Sequence, residues 1–229
     1  MLDVSQLNTY YGESHVIRDI SFQVNPRESV AIMGRNGMGK TTLLKSLIGL
    51  LPTRSGDIQL DGHPLTGLPS HRRVQHGLAF VPQGRMVFPF LTVEQNILSG
   101  AEHSGHRKVP DYIHHFFPVL KEMKHRKAGN LSGGQQQMLA IARALISEPK
   151  VLILDEPTEG IQPSIIKELA QTLNVLRQER GFAIVFSEQV LSFALDLADR
   201  FLVIERGRIV HEEPRAILNQ EKVKAFLTV

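Results

Sequence analysis

Gly34-Arg35-Asn36-Gly37-Met38-Gly39-Lys40-Thr41-Thr42 restricts this chain more than any other stretch. It fits G-x-x-x-x-G-K-[ST] at every fixed position, a pattern that carries meaning only between a strand and a helix. Both neighbours are legible. Residues 29–33 form a short, mostly apolar run suited to a buried parallel strand. Leu43, Leu44, Leu47, Ile48 and Leu51 then recur at helical spacing, and Pro52 stops the helix. A triphosphate needs many donors in a small space. Gly34, Gly37 and Gly39 let the backbone wrap it with N–H groups and bring no Cβ to clash. The helix beginning near Lys40 points its positive end at the anion. Lys40 adds a full charge, and the Thr41 hydroxyl is placed for Mg²⁺. A glycine-rich strand–helix turn is the competing reading, disfavoured by a complete motif in its required context.

Two further stretches carry chemistry. Val151-Leu152-Ile153-Leu154-Asp155-Glu156 is an apolar strand that delivers two carboxylates. Asp155 can hold Mg²⁺, as in the second nucleotide motif of P-loop enzymes. Glu156 can polarise a water for attack on a γ-phosphate. The bland alternative is a strand ended by acidic turn residues. Leu131-Ser132-Gly133-Gly134-Gln135 precedes a helix with Met138, Ile141, Ala142 and Leu145 on one face. Ser132 with Gln135 is a capping box. That leaves Gly133 and Gly134, each costing about 1 kcal/mol in a first turn that could hold a helix former. Two glycines there suggest close approach to the backbone, as by an anion.

The rest of the chain alternates strands and helices. Residues 1–31 read as strands, the first ended by Tyr11, a platform for a purine base or a half-buried strand aromatic. Residues 53–57 read as a turn and 58–62 as an edge strand. The strand over 77–82 places Gln83 at its carboxyl end, where α/β sheets put ligand contacts. From 84 to about 150 the chain reads as a helical insertion. Thr92 to Gln95 opens a helix, 102–109 is a loop, and 112–123 is helical with a break at Pro118. A helix over 165–176, a strand over 183–186 ending in Ser187-Glu188-Gln189, a helix over 190–198 and a strand over 201–204 complete it. This pattern argues an α/β fold, a mostly parallel sheet with helices on both faces. The chain of 229 residues is taken as a single domain, 1–229.

Composition excludes some classes. A formal net charge of +3 suits a nucleotide or a membrane surface, but is too small to argue a nucleic-acid partner. With no cysteine there is no disulfide framework and no thiolate metal site, which fits the reducing cytosol. The ten histidines show no ligand spacing and read as solvated. The amino-terminal residues lack a leader pattern. The longest apolar runs fall far short of the ~20 residues of a membrane helix.

The phosphate loop, Gln83, Leu131–Gln135 and Leu154-Asp155-Glu156, in that order and approximate spacing, resemble the ATP-binding subunit of an ABC transporter over essentially the whole chain. The resemblance implies an ATPase with ATP and Mg²⁺ as ligands, an N-terminal antiparallel β portion, and a peripheral place on the cytoplasmic face of the inner membrane. It implies ATP contacts from residues 34–42, adenine stacking by Tyr11, and Mg²⁺ at Thr41, Gln83 and Asp155. It makes Glu156, Gln83 and Gln189 catalytic, Gln189 falling where the family usually has a switch histidine. Ser132, Gly133, Gly134 and Gln135 are then expected to meet ATP on a second ATPase chain. The helical insertion would receive the coupling helix of transmembrane permease subunits, with a solute-binding protein acting indirectly. Gln189 and the loop Thr158-Glu159-Gly160-Ile161-Gln162 are similar to one branch, the second ATPase of importers for branched-chain amino acids and for urea. Residues 84–89 and 156–163 look closest to the urea member, so the resemblance implies ATP-driven import of a small polar solute, urea, with a branched-chain amino acid as the alternative. Two competitors are an ABC ATPase acting on DNA or ribosomes, disfavoured by the single nucleotide domain, and a module that binds ATP without hydrolysis, disfavoured by Glu156.

Overall fold

The computed structural model describes residues 1–227. The chain opens with two long antiparallel strands, β1 (Leu2–Tyr11) and β2 (Ser14–Val24), followed by β3 (Ser29–Met33). Every residue of β3 is buried, as a central parallel strand covered on both faces should be. Gly39 sits at φ 107°, and helix α1 (Lys40–Ile48) begins one residue later. Gly49 closes α1 at φ 81°, its N–H bonded to the Lys45 and Ser46 carbonyls. Leu51 therefore lies beyond the helix, one turn short of where the apolar spacing alone would carry it.

Then follow β4 (Thr53–Leu60), β5 (His63–Pro64), α2 (Ser70–Gln75) and β6 (Leu78–Val81). The expected turn over 53–57 is strand, paired antiparallel with β1. Gly56, at φ 89°, explains the misreading: a Cβ there would stand 2.3 Å from the Gln6 carbonyl oxygen. Ladder register shifts between Ser5 and Asn8. A glycine that marks a turn by composition is a bulge where two backbones touch.

The helical stretch carries α3 (Val93–Leu98), α4 (Asp111–Phe116), α5 (Pro118–Glu122) and α6 (Gly133–Leu145). Thr92 and Gln95 form both bonds of a capping box, as do Ser132 and Gln135. Pro118 separates α4 from α5 as expected. The remaining elements are β7 (Val151–Asp155), α7 (Pro163–Arg180), β8 (Ala183–Glu188), α8 (Leu191–Leu197), β9 (Arg200–Glu205), β10 (Arg208–Pro214) and α9 (Gln220–Leu227).

Two sheets result, ordered β2-β1-β4-β5 and β10-β9-β3-β8-β7-β6. All neighbours in the second pair in parallel except β10 with β9. Side-chain alternation sorts its buried strands onto two cores. Val30, Ile32, Ile153 and Val185 pack with α1 and the antiparallel sheet. Ala31, Met33, Leu152, Leu154, Ile184 and Phe186 pack with α6, α7 and α8. The core of the helical stretch, including Ile97, Ile113 and Leu120, is continuous with the second cluster.

The histidines are not uniformly solvated. His15 stacks on Tyr10 at 4.1 Å and bonds Asn8, and His211 bonds Glu213 at 3.1 Å. No helix among the described residues is long and apolar enough to cross a membrane.

Candidate nucleotide site

The carboxyl ends of β3, β6, β7 and β8 open into one cavity of about 750 Å³. Its lining includes Gly37, Lys40, Thr41, Gln83, Glu156 and Gln189. Residues 83, 156 and 189 thus converge on the phosphate loop from three other strands.

The loop is braced from beneath. The Gly207 N–H donates to the Met38 carbonyl at 3.0 Å. A Cβ at Gly34 would lie 2.5 Å from the Ile204 carbonyl oxygen, so β9 presses on the loop backbone. A Cβ at Gly37, by contrast, would meet nothing within 4 Å. The loop is tight on its protein side and open on its cavity side, which suits an anion entering from the cavity.

Lys40 is 4% exposed; its Nζ donates to the Gly34 and Arg35 carbonyls at 2.8 and 3.2 Å and pairs with Glu156 Oε1 at 3.3 Å. Glu156 also accepts from Gln189 Nε2 at 2.8 Å on Oε1 and from Gln83 Nε2 at 3.3 Å on Oε2. Its backbone sits at φ 45°, a left-handed conformation that costs on the order of 1–3 kcal/mol. The Ser187 hydroxyl and carbonyl hold the Glu156 N–H at 3.0 and 3.2 Å. Strain, one cation and two neutral amides fix this carboxylate at the cavity wall.

Asp155 is buried behind it. Its Oδ1 accepts from Ser187 Oγ at 2.6 Å and Thr41 Oγ1 at 3.0 Å. Its Oδ2 is buried with no hydrogen-bond partner among the described residues. Burial pushes its carboxyl pKa above the usual range, against the Ser187 and Thr41 hydrogen bonds. An orphan carboxylate oxygen beside a threonine hydroxyl is a fitting donor set for a hard divalent cation.

Other expected residues lie elsewhere. Tyr11 is 47% exposed at the end of β1 and does not line the cavity, although Val16, across the same hairpin, does. That exposure fits a half-buried strand aromatic and leaves the ring face open to a base. Ser132, Gly133, Gly134 and Gln135 lie outside the cavity lining as well. Their glycines have a packing reason within the chain: Cβ atoms at Gly133 and Gly134 would lie 3.0 Å from the Gly160 carbonyl oxygen and 2.9 Å from Ile165 Cγ2.

Sequence reasoning missed Thr158 and, as a functional group, Glu188. Glu188 is 2% exposed and lines the cavity. Its Oε1 accepts the Gln189 and Val190 N–H groups at 2.8 and 3.1 Å, and its Oε2 accepts Thr158 Oγ1 at 2.8 Å. A carboxylate after Ser187 at the end of the apolar run 183–186 was the available signal.

Known proteins resemble this chain in sequence and in fold. Residues 17–159 match the family described as ABC transporter. The chain is 43% identical over 228 residues to the high-affinity branched-chain amino acid transport ATP-binding protein BraG of Pseudomonas aeruginosa, covering 98% of this chain and 97% of that one. It is 38% identical over 212 residues to a probable branched-chain amino acid transport ATP-binding protein, LivF, of Archaeoglobus fulgidus, covering 91% and 90%. A nucleotide-free ATP-binding cassette from an ABC transporter superposes with a TM-score of 0.86 at 26% identity, over 99% of this chain and 94% of that one.

Proposed function

Because this chain belongs to the ABC transporter family, as an ATP-hydrolysing ATP-binding subunit, we propose that it powers import of branched-chain amino acids through a membrane permease. The observation that carries the chemistry is Glu156, aimed at the phosphate-loop lysine and held by two uncharged amides. The solute is supported by the names of the two relatives above, neither of which is urea. The urea reading keeps only the short-string likeness of residues 84–89 and 156–163.

In the proposed cycle the ATP phosphates enter the loop 34–42. Lys40 exchanges its Gly34 and Arg35 carbonyls for phosphate oxygens. Thr41, Asp155 and Gln83 would hold Mg²⁺, which supplies charge neutralisation at the β- and γ-phosphate oxygens. Glu156 orients a water for in-line attack and accepts its proton, while Lys40 offsets the developing negative charge. Gln189 donates toward the γ-phosphate without titrating, as a histidine would.

Ser132–Gln135 forms a second set of donors away from the cavity. We assign it to a nucleotide held by another ATPase chain, so that ATP closes two subunits over each other and excludes water. By family resemblance that partner is a different chain, and this protein alone is monomeric without nucleotide. The helical stretch 84–150, where Met86, Phe88 and Phe90 are exposed, would meet the permease on the cytoplasmic side of the membrane. A solute-binding protein would supply the permease from the other side.

Uptake in a strain lacking this gene tests the proposal. The wild-type gene should restore uptake of labelled leucine but not of labelled urea, and Ser132→Arg should restore neither. Restored urea uptake alone would favour the urea reading. Full leucine uptake with Ser132→Arg would reduce the signature stretch to a helix cap.

A further inference from the structure

We infer that Glu188 is a positioning residue that ties the loop after Glu156 to Gln189, so that both are presented to Glu156 as one unit. The carboxylate lies between the two segments. One oxygen is bonded to the backbone at 189 and 190, the other to the Thr158 side chain two residues beyond Glu156. Gln189, held in this way at its N–H, sends its side-chain amide 2.8 Å to Glu156. Thr158 is itself only 4% exposed. Glu188 is therefore the one side chain bonded to both flanks of Glu156's immediate surroundings among the contacts described.

A purely structural role accounts for this badly. Among the described residues no Lys, Arg or His pairs with Glu188, although it is 2% exposed. A buried carboxylate without a cation costs several kcal/mol of desolvation, which an apolar residue in a strand as apolar as β8 would avoid. What an apolar residue cannot supply is an acceptor reaching both segments at once. The groups hydrogen-bonded to Glu188 are the hydroxyl of Thr158 and two backbone N–H groups, all donors, and the charge nearest it is the like-signed Glu156 carboxylate. Geometry, rather than charge, is what this site needs.

That distinction gives the test. In Glu188→Gln the amide oxygen still accepts both backbone N–H groups, and the amide nitrogen can donate to the Thr158 hydroxyl, which accepts as readily as it donates. Glu188→Ala removes all three bonds. In the transporter purified with its membrane subunits, Glu188→Ala should lower kcat about tenfold or more with KM for ATP within about twofold, whereas Glu188→Gln should stay within about threefold in kcat. Combined with Gln189→Ala, Glu188→Ala should cost no more than about a further threefold, the share of the Thr158 arm, since the rest acts through the Gln189 contact to Glu156. If Glu188→Ala does not fold, Thr158→Val removes one donor without opening a cavity and should lower kcat about threefold at unchanged KM. A Glu188→Ala protein that melts earlier but turns over normally, a Gln variant as slow as the Ala variant, full additivity with Gln189→Ala, or normal kcat in Thr158→Val would each overturn the inference. The inference rests on the proposed role of Gln189. Failure of that role would show separately, as unchanged kcat in Gln189→Ala alone.

Discussion

The two ends of the parallel sheet treat charge differently. At the amino ends, charges are paired. Arg177 forks onto Asp199 at 2.7 and 3.0 Å and also donates to the Arg27 carbonyl, while Asp199 caps the Ser29 N–H at 2.9 Å. Arg200 bonds Glu28 at 2.7 Å, and Lys150 bonds Asp61 at 2.6 Å. Among the described residues the orphan there is the Ser29 hydroxyl, a small neutral group. At the carboxyl ends Glu156 pairs with Lys40 from a strained backbone, while among the described residues Asp155 keeps an unpartnered oxygen and Glu188 pairs with no cation. On the proposed function, one end serves stability and the other holds groups that a bound ligand would complete.

Substitutions at the two ends should separate accordingly. The largest effect is expected from Glu156→Gln, which keeps the shape and loses the base. ATP turnover should fall by a factor on the order of 10² or more while ATP still binds. Steady-state hydrolysis together with nucleotide titration checks this, and near-normal turnover would return Glu156 to the status of a turn residue.

Arg177→Ala should do the reverse. It leaves Asp199 without its fork and frees the Arg27 carbonyl, and should lower unfolding stability by about 2 kcal/mol, less than for a fully buried pair because Asp199 is 45% exposed. Turnover per folded molecule should not change. A shift in the denaturation midpoint with intact kcat supports the division between the ends; lost turnover in fully folded protein breaks it.

How much of this division was legible in the sequence depends on distance along the chain. Residues 29–33 and 151–155 announced themselves because strands buried on both faces are continuous apolar runs. Lys40, Thr41, Asp155 and Glu156 sit at the ends of those runs, so their meeting follows from a parallel sheet. Thr158 and Glu188 are joined by a side-chain bond across thirty positions, and no local pattern encodes such a pair. The amino-end ion pairs are hidden for the same reason: Arg177 on α7 finds Asp199 only after the helix has packed. The strand over 53–57 was lost to a glycine whose function is a bulge, visible only once β1 lies against it.

Tyr11 offers a sharper probe of where the functional end stops. It lies on the other sheet, outside the cavity lining, yet exposed beside the hairpin that contributes Val16. If it stacks on the base, Tyr11→Ala should weaken ATP binding by about 1–3 kcal/mol without altering the melting temperature. Unchanged affinity with a lower melting temperature would confine the site to the parallel sheet.

The smallest expected effect lies at the amino-end rim and depends on pH. Hydrogen bonds from Lys150, and then from the Met1 amino group, hold the Asp61 carboxyl down at about 2, below its ordinary 3.8. A carboxyl whose folded pKa is depressed adds stability that is present above its unfolded pKa and fades as pH falls through the folded one. The window therefore runs from about pH 4 down to about pH 2. Asp61 is 40% exposed, so solvent screening limits the contribution to at most about 1 kcal/mol. Asp61→Asn should then be slightly less stable than wild type near pH 6, and the two denaturation curves should converge near pH 2. Asp155 has the opposite sign, because burial raises its pKa and disfavours the charged form. A difference between Asp61→Asn and wild type that stays constant from pH 6 to pH 2 would mean that Asp61 acts through packing rather than charge, and the contrast between the two ends would lose its outermost member.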